Sequence, residues 1–358
     1  VYIIYIFRFL GNNFSNIIKS VKFICKDERG EQGKIVAKSL EMLAEESNFA
    51  LVVGIGGGGD VIGAIPTARY LRWLGLKTLL GGTTWERYVI DPEPGPRKMD
   101  EIINIKRLSK TVGLANAQTR TTRGVRFTEA IVAEILGEEV VLVDLNQGVR
   151  GVTLGLREAM EELGADLFVG IDVGGDVLAE GTEQGLYSML ADNMMLAAMV
   201  NLKVPAVLGV LGYGSDGELG FKRLNENIAR IASYGGFLGA RSLTPEDVKV
   251  LEGVIKNTKT EATALAVEAA KGRVGEIEIR GGQRKVFLTP ASSITFYFDP
   301  LVVFERMSKV ARKLIQTESL DEANVILERM GVGSELNFER NYIWKKYTSS
   351  DKLYGGGR

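Results

Sequence analysis

The chain has no histidine and a single cysteine among its 358 residues. Those two shortages exclude the Ser-His-Asp triad, the Cys-His pair, the HExxH metal site and the Cys/His zinc cage, all of which need residues that are not here. The lone Cys25 also rules out an intrachain disulfide, so a cytoplasmic setting is expected. A surplus of one charge is missing as well. Lys plus Arg number 44 and Asp plus Glu 45, which leaves −1 and no basic footprint for a nucleic-acid backbone. Apolar runs are short: Val1 to Phe7, extended by Phe9 and Leu10, falls far below the roughly 20 residues of a membrane span and lacks the flanks of a signal peptide. No membrane and no nucleic acid are therefore expected as partners. Residues 1–33 read as an edge strand or, preferably, as an extension peripheral to the fold. With 45% hydrophobic and 25% charged residues, the chain as a whole has the composition of a globular protein, and disorder is excluded.

What is present alternates between helical and strand-like stretches from Lys34 onward, the pattern of a parallel sheet covered on both faces. Apolar runs at 50–55, 77–80, 140–143, 167–171 and 205–211 read as strands. Helical spacing marks the segments near 127–136, 153–163 and 186–202. The Pro-rich connection 85–97 is long enough to suggest a functional loop. Thr244 and Pro245 open a helix, Glu276 to Leu288 reads as a β-hairpin across Gly281 and Gly282, and Ser319 with Glu322 forms a capping box for a last helix at 320–330. The expected architecture is Rossmann-like: a three-layer α/β/α fold with a mainly parallel sheet, plus a C-terminal hairpin and helices. Residues 34–300 would form the ligand-binding domain and 301–358 a helical segment packed on it.

In such sheets ligands bind beyond the carboxyl ends of the strands. Asp60, Asp144, Asp172, Asp176 and Asp216 all fall at or just past expected strand ends, a ring of oxygen donors. Two stretches there resemble each other: laying 51–61 over 167–177 pairs Gly54 with Gly170, Gly58 with Gly174, Gly59 with Gly175 and Asp60 with Asp176. GIGGGGD at 54–60 and GYGSDG at 212–217 both fit GxGxxG, a weak signal in a chain with 43 glycines. NAD binding is unsupported, because no acidic residue ends the second strand, and no Walker A sequence exists. A backbone cradle built by Gly54, Gly56, Gly57, Gly58, Gly59, Gly174, Gly175, Gly212, Gly214 and Ser215 would take a phosphate. Thr83, Thr84, Glu86 and Arg87 would line the same crevice, with Trp85 as a stacking platform or simply packing.

A carboxylate beside a phosphate calls for a cation between them, so Mg²⁺ held by Asp60, Asp172 and Asp176 is the expected cofactor, with Asp60 and Asp176 as catalytic residues. The plainer alternative is that Asp60, Asp176 and Ser215 are helix N-caps, Ser215 with Glu218 in a capping box. Arg120, Arg123 and Arg126 would clamp an anion or line a solvated face. Asp192 and Asn193 interrupt an apolar helix and need partners if buried. Met194, Met195 and Met199 read as core.

At GIGGGGDVIGAIP (54–66), WER (85–87), DPEPGP (91–96), GIDVGGDVLAEG (170–181) and TFYFD (295–299) the chain resembles an uncharacterised, largely archaeal prokaryotic family catalogued as domain of unknown function 1152. The resemblance covers about 51–299. It implies the fold and the choice of loops, and no activity, substrate or catalytic residue. The residues themselves lead to an expected enzyme for a phosphorylated or nucleotide-type small molecule, with Mg-assisted transferase or hydrolase chemistry. A non-catalytic binding or regulatory protein and a metal-free enzyme for an amino-acid-like substrate stay open, as does a homo-oligomer.

Overall fold

Leu51 and Val53 point to one side of their strand, Ala50 and Val52 to the other, and all four are fully buried, so this strand needs cover on both faces. The computed structural model describes residues 38–342 apart from position 283; the extension expected at 1–33 lies outside the described residues. A short helix α1 (Leu40–Glu45) leads into β1 (Phe49–Gly54), α2 (Asp60–Trp73) and β2 (Lys77–Thr83). An edge hairpin, β3 (Ile102–Arg107) and β4 (Val112–Thr121), comes next. It is followed by α3 (Thr128–Leu136), β5 (Val140–Val143), α4 (Gly148–Leu163) and β6 (Leu167–Val173). The chain continues through α5 (Met189–Met199), β7 (Ala206–Leu211), α6 (Phe221–Ser233) and β8 (Phe237–Ser242). Helices α7 (Pro245–Ile255) and α8 (Ala262–Ala270) precede the hairpin β9 (Gly275–Ile279) and β10 (Arg284–Leu288). Strand β11 (Ile294–Phe298) and helices α9 (Lys309–Leu314) and α10 (Leu320–Met330) close the labelled elements.

The main sheet has the order β3-β4-β5-β2-β1-β6-β7-β11-β8, with β9 and β10 paired separately. Its centre, β5-β2-β1-β6-β7, is parallel throughout, while β4 and β11 run against their neighbours. This is the mainly parallel, helix-covered sheet that the alternating pattern implies. One apolar layer joins Leu51, Val53, Phe168 and Val210 to α4, α5, α9 and α10. The other joins Ala50, Val52, Val169 and Ile171 to α2, α7 and α8. Residues of α5 are buried along its whole length, Met194, Met195 and Met199 included, so this helix is enclosed by the sheet on one side and by α4, α9 and α10 on the other.

The capping signals at 244–245 and 319 hold: the Thr244 side chain accepts from Asp247 N–H with Pro245 first in α7, and Ser319 accepts from Glu322 N–H. In the second case the Glu322 carboxylate takes the N–H of Glu318 rather than that of Ser319. Strands β3, β4, β8 and β11 carry no clear sequence signal. The edge strands β3 and β8 have one open side, and the exposed Asn104, Arg107 and Ser242 break the apolar runs that mark central strands. Among the described residues no helix is long and apolar enough to cross a membrane.

Candidate functional site

Strands β1 and β6 are parallel neighbours, with Gly54 opposite Ile171, so the two Gly-Asp loops that follow them lie side by side at the carboxyl edge. The β7 loop joins them, with Gly214 N–H donating to Gly174 C=O at 2.8 Å. The centre of the site is a carboxylate triad. One oxygen each from Asp60, Asp172 and Asp192 lies within 4.8 Å of the other two. Asp172 and Asp192 are buried and Asp60 is partly open, which makes Asp60 the outward-facing member. Asp176, Asp216 and Glu218, near enough to act on one another's charge, complete a group of six carboxyls at the same edge of the sheet. Among the described residues only Glu218 has a cationic partner, Arg284 at 3.1 Å.

Burial and mutual repulsion set the acidities. Burial, then the charge of Asp216, pushes Asp60 up to about 7 against the pull of the Gly56 and Val173 N–H groups. Asp216 is likewise pushed up to about 7 by burial and by Glu218. Asp172, Asp176 and Asp192 are held well above the usual carboxylate range by burial and then by neighbouring carboxylates: Asp60 and Asp216 act on Asp172, Asp192 and Asp172 on Asp176, and Asp172 and Asp60 on Asp192. Hydrogen bonds satisfy some of their oxygens: Gly56 N–H donates to Asp60 Oδ2 and Gly175 N–H to Asp172 Oδ2, both at 2.9 Å, and Ser188 Oγ donates to Asp176 Oδ2 at 3.0 Å. Asp192 Oδ1, Asp216 Oδ2 and Ser215 Oγ are buried with no partner. Neighbouring Asn193 differs: it donates to Met189 C=O and accepts from Ser308, so one half of the polar pair in α5 is satisfied and the other is not.

Glycine is required here for close approach. A Cβ on Gly56 would stand 2.6 Å from Asp60 Oδ2 and 3.0 Å from Asp192 Oδ1, and one on Gly174 would stand 2.2 Å from Asp216 Oδ2. The reading of the loop at 54–60 as an open phosphate cradle needs correction. Ile55, Gly56, Gly58 and Gly59 N–H groups are bonded to Ile171 C=O, Asp60, Trp85 C=O and Gly57 C=O. Trp85, Arg87 and Thr260 fill the space beside Gly57, Gly58 and Gly59, and the start of α2 packs on Gly54. Gly212 and Gly214 shape the third loop through left-handed backbone, both at φ 73°.

The capping alternative fails for three residues. Gly59 caps α2 and Asp60 follows it; Gly175, not Asp176, precedes the short turn at 176–178; and Ser215 lies ahead of Gly220, the cap of α6. The lining assigned to 83–86 is also revised. Thr83 Oγ1 donates to Gly56 C=O and Thr84 Oγ1 to Arg97 C=O, while Glu86 is buried at the start of α3, accepting from the Thr128 N–H and hydroxyl. Trp85 is core, its Nε1 donating to Glu339. Asp144 holds a turn by accepting from Met99 and Asn146 N–H groups. Arg123 and Arg126 pair with Glu93 and Glu134, and Arg120 turns back on Gln118, so none of the three clamps the carboxylate group.

Asp192 is the residue that sequence reasoning did not place in the site. The available signal was an acid inside an otherwise apolar helix, where every neighbour is buried. Glu335 is a second omission. Its carboxylate accepts from Leu190 and Ala191 N–H at the start of α5, which ties the C-terminal segment to the helix that carries Asp192. The family model described as a protein of unknown function (DUF1152) matches residues 51–343. The chain belongs to that family. No curated protein and no solved structure matches it. The DUF1152 match starts in β1 and runs past Glu335 and Glu339, so it takes in both the carboxylate group and the segment latched onto it.

Proposed function

We propose that this DUF1152 protein holds a hard divalent cation, Mg²⁺ foremost, between Asp60, Asp172 and Asp192, and acts on a phosphorylated small molecule in a transferase or hydrolase step. The observation that supports it most directly is Asp192 Oδ1, buried without a partner beside two further carboxylates and without a cationic side chain among the described residues. Leaving such a group unpaired is costly, and a cation is the simplest way to satisfy it. The three oxygens lie within 4.8 Å of one another, close enough for small side-chain movements to bring them onto one hard cation. The donor set is all oxygen and needs no histidine.

Bound there, the cation would neutralise the triad and polarise a phosphoryl oxygen. Asp60, the open member, faces the ligand side. Asp176 lies outside the triad, buried and bonded to the Ser188 hydroxyl, and is the carboxylate left to take a proton from an attacking water or hydroxyl. The reading carries with it a cytoplasmic setting, consistent with one cysteine in the chain.

Calorimetric titration of EDTA-dialysed protein with MgCl₂, MnCl₂ and CaCl₂, paired with thermal melts, tests the cation site. Saturation near 100 times Kd adds about 2.7 kcal/mol, about 5 °C in a chain of this size. Asp192→Asn is expected to melt higher than wild type in EDTA, because one repelling charge is gone, and to lose the cation response. A wild type that ignores all three cations but is stabilised by amino acids in EDTA would replace the metal by a ligand ammonium.

A further inference from the structure

In the glycine loop at 54–60 the N–H groups of Gly56, Gly58 and Gly59 are engaged and the flanks are covered, so an anionic group brought to the carboxylate site has to be met largely by something else. The cover itself carries three arginines. Arg87 lays its stem over Gly58, where its Cγ would stand 2.5 Å from an added Cβ, and donates to Lys259 C=O and to Glu261 at 3.4 Å. Arg280, in the turn of the β9–β10 hairpin, reaches the same Glu261 at 3.5 Å. Arg284, on β10, donates to Glu218 and to Asp216 C=O, both at 3.1 Å, and stacks on the half-exposed ring of Tyr187 at 5.1 Å. Glu218 in turn lies within hydrogen-bond reach of the Ser188 hydroxyl that bonds Asp176, so Arg284 abuts the carboxylate group through Glu218.

Three guanidiniums share two carboxylates. Burial, then the charges of Arg87 and Arg284, holds Arg280 below its usual value, so the three are close enough to repel. Among the described residues neither terminal nitrogen of Arg280 makes a hydrogen bond. The Arg280 backbone sits at φ 53°, a conformation glycine adopts freely and arginine does not, although Gly281 and Gly282 follow it directly. An arginine kept at a position suited to glycine points to a use for its side chain.

We infer that Arg87, Arg280 and Arg284 form an anion subsite on the cover of the carboxylate group, and that the group they receive is the phosphate of a phosphorylated ligand. Arg87 and Arg280 already meet on one Glu261 oxygen, and planar guanidinium forks suit a tetrahedral dianion, which offers several oxygens, better than a single carboxylate. The subsite deepens the proposed function by supplying the anion recognition that the glycine loop lacks. It rests on that reading only for where the remainder of the ligand lies.

The test is calorimetric titration of the full chain with inorganic phosphate, and separately with succinate, at fixed ionic strength, in EDTA and in MgCl₂. Phosphate is expected to bind in preference to succinate. Arg87→Gln and Arg280→Gln should each weaken it by about tenfold or more, while Arg273→Gln, which pairs with Glu268 on α8, should leave it unchanged. Arg280→Gly supplies the structural control: it should melt no lower than wild type, because the turn is relieved, yet bind phosphate as poorly as Arg280→Gln. Wild type that binds no phosphate in either buffer, binds succinate equally well, or keeps its affinity in the Arg87 and Arg280 variants overturns the inference. Binding seen only with Mg²⁺ supports it if Arg280→Gln abolishes that binding and overturns it if not. Phosphate binding in EDTA by a protein indifferent to divalent cations would leave the subsite standing and remove the cation site; cation binding without phosphate binding would do the reverse.

Discussion

The loops after β1 and β6 begin from nearly the same residues and end with different roles. Each leaves a buried parallel strand and places an aspartate six residues past its first glycine, Asp60 after Gly54 and Asp176 after Gly170. After β1 the aspartate opens a long helix and joins the triad; after β6 it opens a one-turn segment and is bonded to Ser188 outside the triad. The position that decides this is the third of each loop. Gly56 leaves room for two carboxylate oxygens, whereas its counterpart Asp172 supplies one. The triad thus takes the last residue of one loop, the third of the other, and Asp192 from α5. A repeated sequence has become a single asymmetric site, because two side chains cannot fill the same space.

The largest expected effect comes from the glycines that the two loops share. Gly174→Ala combines φ 136° with a Cβ 2.2 Å from Asp216 Oδ2, so a loss of about 3 kcal/mol or more is expected in chemical denaturation. Its counterpart Gly58→Ala sits at φ 59°, which alanine tolerates for about 1–2 kcal/mol, and meets the movable stem of Arg87 and, less tightly at 3.0 Å, its backbone nitrogen. Equal losses would mean that the loops are strained alike. Next come the carboxylates: Asp60→Asn and Gly56→Ala should each weaken cation binding by about 100-fold, and Asp176→Asn by less than about tenfold. If Asp176→Asn proves the more damaging in the same titration, the repeat has been assigned the wrong way round.

A smaller effect follows from pH. Asp60 and Asp216 rise from the usual carboxylate value of 3.8 to about 7 on folding, so between those limits the folded state holds protons that the unfolded chain has released. Stability from this source is complete below about pH 4 and is lost as pH rises through about 7. In EDTA the protein should melt several degrees higher at pH 5 than at pH 8, and a divalent cation should close that gap from the alkaline side, where protons no longer compete. A flat or inverted profile in EDTA would show that the carboxyls are not forced together. The mildest change is Thr83→Ala, which removes the hydroxyl bonded to Gly56 C=O; about 1 kcal/mol is expected, because the β6 loop, held instead by the Gly214 to Gly174 backbone bond, is untouched.

Much of this was readable from residue order. Local patterns place β1, β2, β5, β6 and β7, the caps at Thr244 and Ser319 and the hairpin turn, since each depends on a few consecutive side chains. Asp60 and Asp172 were legible as members of the carboxylate group because both lie at or just past the ends of apolar strands, and Arg87 as a residue lining the same edge. Asp192, Glu335, Arg280 and Arg284 were not. They come from a helix interior, the C-terminal segment and a distant hairpin, and only packing brings them to one edge.

Residue order and composition settle the fold class, the sheet edge where the carboxylates gather and the exclusion of every histidine-dependent site, because periodicity and counts are local. Tertiary structure alone decided which three carboxylates meet, that the glycine loop is covered, and which arginines lie over it. Those outcomes depend on distances between segments far apart in the chain, and no spacing along the sequence encodes them.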